Sequence, residues 1–237
     1  MRYEILEGAY PVLVCGLDEG ESVITQSAAM AWMTPDFELE VTGESVGRAL
    51  GRAITGASLF RNIYTALSDG SKIALQSDEP GKIFELDIAP EKDFILQKTA
   101  FLASEMSVDL SVYVTEKLSA GIFGGEGIFL QRLSGEGKAF GAVYGDMVEY
   151  ELGENERMIV DTGNVIGFED TVSMTIESVP GLKNKLFSGQ GLFNTVLTGP
   201  GRIMLRTKRK HSGLHVSSSS SSSTSTSSSE TSTGTNG

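Results

Sequence analysis

Strict alternation of apolar and polar residues marks short β-strands along this chain. Lys72-Ile73-Ala74-Leu75-Gln76, Ser107-Val108-Asp109-Leu110-Ser111-Val112 and Ser173-Met174-Thr175-Ile176-Glu177 all alternate in this way. Such a pattern sends successive side chains to opposite faces, so each segment predicts a strand with one face buried. Turn chemistry separates the runs, at Gly20-Glu21, Ser134-Gly135, Gly153-Glu154 and Gly199-Pro200-Gly201. One stretch departs from the β pattern. Val46, Leu50, Ala53, Ile54 and Ala57 recur at helical spacing, with Arg48 and Arg52 on another face. A short amphipathic helix near residues 46–57 is expected there, weakened by Gly47 and Gly51.

A longer pattern overlies the short one. FGGEGIFLQRLSGEG (residues 123–137) and FSGQGLFNTVLTGPG (residues 187–201) are versions of one phrase. Phe129 and Phe193 fill the same place, 193 − 129 = 64 residues apart. A degraded version, SLFRNIYTALSDG, runs from Ser58 to Gly70. The other half of the unit recurs as well, as GLDEGESVITQSAAMAW from Gly16, FELDIAPEKDFILQKTAFLA from Phe84 and YELGENERMIVDTGNVIGF from Tyr150. Val23, Phe94 and Met158 therefore correspond, each followed by an isoleucine (Ile24, Ile95, Ile159). Recurrence of this kind is one structural unit used repeatedly.

The expected fold is all-β. Three internal repeats of short antiparallel strands, approximately residues 1–57, 58–122 and 123–211, would form a pseudo-threefold β-prism or double-stranded β-helix. They make up a single domain over residues 1–211. Ser217–Ser223 opens a Ser/Thr/Gly stretch with no apolar residue to bury, so residues 212–237 are expected to be a disordered tail.

Composition narrows the functional classes. Gly is abundant (28) and Pro scarce (6), which suits many tight turns between short strands. The formal net charge of −12 repels nucleic acid and anionic membrane wherever no local basic patch offsets it. Cys15 is the single cysteine, which excludes an internal disulfide framework and a multi-cysteine metal site. It sits in the apolar run Val12–Cys15, so a buried, inert thiol is expected. The opening MRYEILEGAY carries acids and no apolar stretch, and no run reaches the ~20 apolar residues that span a bilayer. The expected location is the cytoplasm, peripheral to a membrane where docking occurs.

Catalytic chemistry is sparse. The histidines are His211 and His215, both beyond the last β segment. A core without histidine holds neither a His-ligated metal nor a Ser-His-Asp triad. Ser134-Gly-Glu-Gly-Lys138 fails as a P-loop, because Arg132 replaces its first glycine and Ala139 its Ser/Thr. Gly125-Glu-Gly127 begins a dinucleotide fingerprint that Leu130 does not finish. Leu186 replaces the first glycine of a nucleophile elbow at Phe187–Gly191. Recurrence within the repeat assigns these glycines to hairpin turns. Glu169-Asp170, Asp36 with Glu38 and Glu40, and Asp18 with Glu19 and Glu21 read as solvated acids of turns and strands. No enzyme activity, cofactor or metal is expected.

The remaining candidates are surfaces. Arg202, Arg206, Lys208, Arg209 and Lys210 cluster at the last strand, and Arg48, Arg52 and Arg61 around the glycine-rich helix. Either cluster suits phosphate or anionic head groups, or else protects an edge by charge. Ala28–Met33 contains the sole tryptophan, Trp32, followed by Met33. Its counterparts are Ala100–Ala103 and Asn164–Phe168. Segments lining the repeat axis would be core, the reading preferred here. At one end of a prism they would form an oligomer interface or a lipid-facing patch. The candidate interaction surface is Arg48, Arg52, Trp32, Met33, Arg202, Arg206 and Arg209.

The phrases FGGEGIFLQRLSGEG, VDTGNVIGFEDTV, FSGQGLFNTVLTGPGRIMLRT and the opening through GESVITQSAAMAWM resemble bacterial and archaeal members of the altered-inheritance-of-mitochondria family, over about residues 1–209. The resemblance implies a three-repeat, pseudo-threefold β fold, grouped with the tryptophan RNA-binding attenuation protein, whose subunits form rings. A yeast relative is associated with organisation of the mitochondrial inner membrane. The resemblance carries over no catalytic residue. The functional expectation is a non-enzymatic interaction or scaffold protein. It would self-associate as a homo-oligomer and dock at a membrane surface or on a membrane protein. The alternative is a small-ligand or RNA-binding module by analogy with the fold relative, although nucleic acid is the less expected partner for so acidic a chain.

Overall fold

The described residues form the strands β1 (Arg2–Leu6), β2 (Val12–Leu17), β3 (Ser22–Gln26), β4 (Met30–Met33), β5 (Phe37–Glu44), β6 (Leu59–Ala66), β7 (Ser71–Gln76), β8 (Gly81–Ile88), β9 (Phe94–Gln97), β10 (Phe101–Glu105), β11 (Val108–Val112), β12 (Leu130–Gly135), β13 (Gly137–Tyr144), β14 (Met147–Leu152), β15 (Arg157–Asp161), β16 (Val165–Glu169), β17 (Ser173–Ser178), β18 (Phe193–Thr198) and β19 (Gly201–Arg206). This computed structural model describes residues 1–44, 59–77, 79–113, 129–178 and 193–208. The helix expected near 46–57 with Arg48 and Arg52, the residues Arg209 and His211, and the tail expected over 212–237 with His215 lie outside the described residues. The alternating segments of the sequence are β7, β11 and β17, and the all-β expectation holds.

Among the described residues four sheets form, all with antiparallel ladders. The first has order β1-β2-β7-β4, the second β5-β6-β3-β10-β13-β8, the third β11-β12-β9-β16-β19-β14 and the fourth β15-β18-β17. Three apolar layers fill the gaps between successive sheets. Leu13, Cys15, Leu17, Ile73 and Leu75 of the first sheet meet Val23, Tyr64, Leu102 and Phe140 of the second. Ile24, Phe84 and Leu86 on the other face of the second sheet meet Phe94, Leu96, Leu133 and Met204 of the third. Ile95, Phe168, Ile203 and Leu205 on the third sheet's far face meet Val160, Met174 and Leu197 of the fourth.

The second and third sheets are therefore apolar on both faces, and their sequences show why. Val23 and Ile24 are neighbours on β3 yet face different cores, as do Phe94 and Ile95 on β9. A strand buried on both faces reads as a continuous apolar run, whereas a half-exposed strand alternates. Phe94–Gln97 is buried throughout, while Val108–Val112 alternates.

The pairing scheme of β2–β7 recurs in β8–β13 and again in β14–β19. β2-β7-β4, β8-β13-β10 and β14-β19-β16 are matching ladders, and so are β5-β6-β3, β11-β12-β9 and β17-β18-β15. Even the irregularities match. A bulge falls between Met30 and Trp32 opposite β7, between Phe101 and Ala103 opposite β13, and between Val165 and Gly167 opposite β19. Ile24 pairs with Ile63, Ile95 with Arg132 and Ile159 with Val196, which sets Phe60, Phe129 and Phe193 at one common register.

Two seams join these ladders into wider sheets. In the second sheet β10 pairs β3, with Ala103 opposite Thr25, Ser104 opposite Ile24 and Glu105 opposite Val23. In the third sheet β16 pairs β9, with Gly167 opposite Leu96, Phe168 opposite Ile95 and Glu169 opposite Phe94. The second seam is tight. A Cβ placed on Gly167 would lie 2.5 Å from the Ile95 carbonyl oxygen, so only glycine fits. A closed pseudo-threefold prism needs a third seam, β4 against β15. That pairing is absent among the described residues.

Candidate interaction surface

β4 is the edge of the first sheet, held on one side by β7 through Met30–Leu75, Trp32–Ala74 and Met33–Ile73. Its free side makes no ladder among the described residues. Met30 is 37% exposed, Trp32 54% and Met33 39%. The equivalent residues of the other ladders are core: Ala103 and Ser104 are fully buried, as is Phe168. The expectation that Ala28–Met33 is core is thus corrected for Ala28, Met30, Trp32 and Met33, and it holds for Ala29. The cause is topological. β10 and β16 are covered by a second partner strand and by sheets on both faces, whereas among the described residues β4 has a neighbour strand on one side alone. Burying a side chain of this size contributes about 1.5–3 kcal/mol, which the edge leaves unrealised.

β15 is the matching edge of the fourth sheet, held among the described residues by β18 alone. Ile159 is 66% exposed, although its counterparts Ile24 and Ile95 are buried. The repeat aligns these three isoleucines, and nothing in the local sequence sets Ile159 apart from the other two. The alignment carried the signal; the missing neighbour strand did not show in it.

The basic cluster is dispersed among structural contacts. Arg202 lies 3.5 Å from Glu149 and 3.8 Å from Glu169, and its guanidinium sits 5.5 Å from the Phe94 ring centre. Arg206 is buried and donates to Gln97 Oε1. Burial pushes its guanidinium below the ordinary arginine value. Arg61 Nη2 donates to the Leu110 carbonyl at 2.5 Å. Lys208 stands over the Tyr144 ring at 5.0 Å. Arg202 and Arg206 therefore brace the third sheet rather than form an open cationic face.

Other charged groups follow the same rule. Arg132 Nη1 bridges Asp93 at 2.6 Å and Asp170 at 3.2 Å, which raises its pKa, the Asp93 hydrogen bond contributing most. Lys138 is held by Asp87 and Glu85, which push its pKa well above the ordinary lysine value. Tyr3 Oη donates to Glu85 at 2.5 Å, and the Tyr3 ring stacks edge-on against Phe140 at 4.8 Å. Hydrogen bonds from Lys138 and then Tyr3 hold the Glu85 carboxyl below its usual range. These contacts tie β1 of the first sheet to β8 and β13 of the second. The turn acids serve the backbone: Glu21 accepts from the Asp18 amide at 2.9 Å, and Glu156 from the Gly153 amide at 2.8 Å. Cys15 is fully buried, and burial pushes its thiol up to about 12. The expectation of a buried thiol holds. Among the described residues no cluster of three metal-ligating side chains forms, and no helix is long and apolar enough to cross a membrane.

Residues 3–208 match the sequence model of the family described as mitochondrial biogenesis AIM24. The chain is also similar to a solved structure, the crystal structure of protein SPYM3_0169 from Streptococcus pyogenes. The two are 26% identical and superpose with a TM-score of 0.69, over 88% of this chain and 94% of the other. No curated protein matches the sequence.

Proposed function

This chain belongs to the mitochondrial biogenesis AIM24 family, and from that premise we propose that it is a non-enzymatic interaction protein that self-associates and presents the assembly to a membrane surface or a membrane-bound partner. The observation that carries the reading is the exposure of Met30, Trp32 and Met33 on a strand edge whose equivalents are buried. Large apolar side chains left exposed along an unpaired edge, on both faces of its sheet, suit burial against a partner. The charged groups support a scaffold rather than a catalyst, because Arg132, Lys138, Glu85 and Arg202 pair across neighbouring strands. Arg202 and Arg206, the residues that would favour RNA, are occupied by Glu149, Glu169 and Gln97. With a net charge of −12, docking on bare lipid favours neutral over anionic surfaces.

Light scattering over a concentration series, followed by flotation with neutral and with anionic vesicles, tests the reading. Mass rising with concentration supports self-association, and co-flotation with neutral vesicles supports direct membrane docking. A monomeric mass throughout, with no flotation, overturns the reading.

A further inference from the structure

Among the described residues, three of the eight free edges of the four sheets are edges in every ladder. β5, β11 and β17 each end a sheet, so the exposed Leu39 and Val41 of β5 belong to a strand whose counterparts also lack an outer partner. β14 ends the third sheet as β8 ends the second. β4 and β15 differ. Both counterparts of β4, namely β10 and β16, lie inside a sheet, and so do both counterparts of β15, namely β3 and β9. In the two intact seams the counterpart of β4 pairs the counterpart of β15. The chain thus carries both halves of one more seam, one on its first sheet and one on its fourth.

We infer that β4 of one copy pairs antiparallel with β15 of a second copy, so that the first sheet of one and the fourth sheet of the other become one continuous sheet. The inference rests on the self-association proposed above and names the surfaces that accomplish it. The intact seams fix the register. Ala103 opposite Thr25 and Gly167 opposite Leu96 translate to Trp32 opposite Val160. Ser104 opposite Ile24 and Phe168 opposite Ile95 translate to Met33 opposite Ile159. This register sets exposed Met33 beside exposed Ile159, an apolar match across the seam. It also supplies partners to backbone groups that an edge strand leaves to water.

Order along the chain argues for two copies rather than one. β4 lies in the first sheet and β15 in the fourth, with two sheets and three apolar layers between them. Sheets stack about 10 Å apart, whereas paired strands lie about 4.8 Å apart. The contact is head-to-tail, and it leaves one β4 and one β15 free at the ends of any pair. Growth therefore continues until a ring closes or a filament forms.

Disulfide trapping reads the register directly. Directly paired antiparallel residues have Cα atoms about 4.5–5.5 Å apart, within the ~4.4–6.8 Å that a disulfide spans. Met33→Cys and Ile159→Cys are made as separate variants, mixed and mildly oxidised, with buried Cys15 left in place. Mixed chains are expected to yield a covalent dimer several-fold above either variant alone, and above a mixture of Met33→Cys with the register-shifted Arg157→Cys. The double variant Met33→Cys/Ile159→Cys is expected to give a ladder of multimers. Closure at monomer mass in the double variant would overturn the inference by placing the seam within one chain. Light scattering of the unaltered chain separates the remaining failures. Assembly without the specific disulfide overturns this seam and leaves self-association standing, whereas a strict monomer overturns both.

Discussion

β4 and β10 are one strand in two settings. Each pairs on one side with the corresponding strand, β7 or β13, and each carries the same bulge. On the other side β10 meets β3, whereas β4 pairs with no strand among the described residues. Ala103 and Ser104 are fully buried, whereas Trp32 is 54% exposed. The contrast shows that local sequence selects the strand and its ladder, while burial depends on whether a second ladder arrives. Repetition along the chain yields interior seams between units and leaves a half-seam at each end.

The sharpest way to break the comparison is to remove an interior side chain. Phe140 is fully buried between the first and second sheets, against Tyr3. Phe140→Ala is expected to cost about 3–5 kcal/mol, read as a lowered midpoint in urea unfolding. A loss below 1 kcal/mol, on the order of a surface substitution, would contradict the layered core. Next comes the tight seam. Gly167→Ala forces a Cβ to within 2.5 Å of the Ile95 carbonyl, so β9 and β16 must part. The expected loss is about 1–3 kcal/mol, together with faster amide exchange in β16.

A smaller effect tests the link between the first two sheets through pH. The lowered pKa of Glu85 means that its contribution is present above the ordinary carboxylate range and is lost as pH falls through its folded value. The raised pKa of Lys138 means that its contribution is present below the ordinary lysine range and is lost as pH rises through its folded value. Glu85→Gln should therefore flatten the acid limb of stability, and Lys138→Met both limbs, in denaturation followed from acid to alkaline pH. Unchanged limbs in both variants would show that the cluster does not couple the sheets.

The smallest expected effect on folding is at the edge itself. Trp32→Ala should change the unfolding free energy of the dilute protein by less than about 0.5 kcal/mol. Because Trp32 is the sole tryptophan, its fluorescence reports the edge alone. Emission characteristic of exposed indole, readily quenched by acrylamide at low concentration and protected at high concentration, would place a partner over β4. Quenching that is weak at every concentration would contradict an open edge.

Much of this architecture was legible in the sequence. Alternation located β7, β11 and β17, and the repeated phrases aligned Val23, Phe94 and Met158 at the same register of their ladders. Period-two patterning is set by one strand and the face it presents, so a sequence displays it directly. Which ladder adjoins which is a property of the whole chain, and it decided the fates of Trp32, Met33 and Ile159. The cations illustrate a second gap. Arg202 and Arg206 share one side of a strand, as their spacing implies, yet their partners Glu149, Glu169 and Gln97 come from neighbouring strands. Spacing within a strand gives the facing direction, and strand order gives the company.

Cys15 lies in the layer between the first and second sheets, with its thiol pushed up to about 12. At neutral pH the reactive thiolate is almost unpopulated, and the closed fold shields the sulfur from any reagent. Alkylation of this residue must wait for the two sheets to separate. Its labelling rate is thus a clock for opening of the amino-terminal layer, built into the unaltered chain and independent of events at either outer edge.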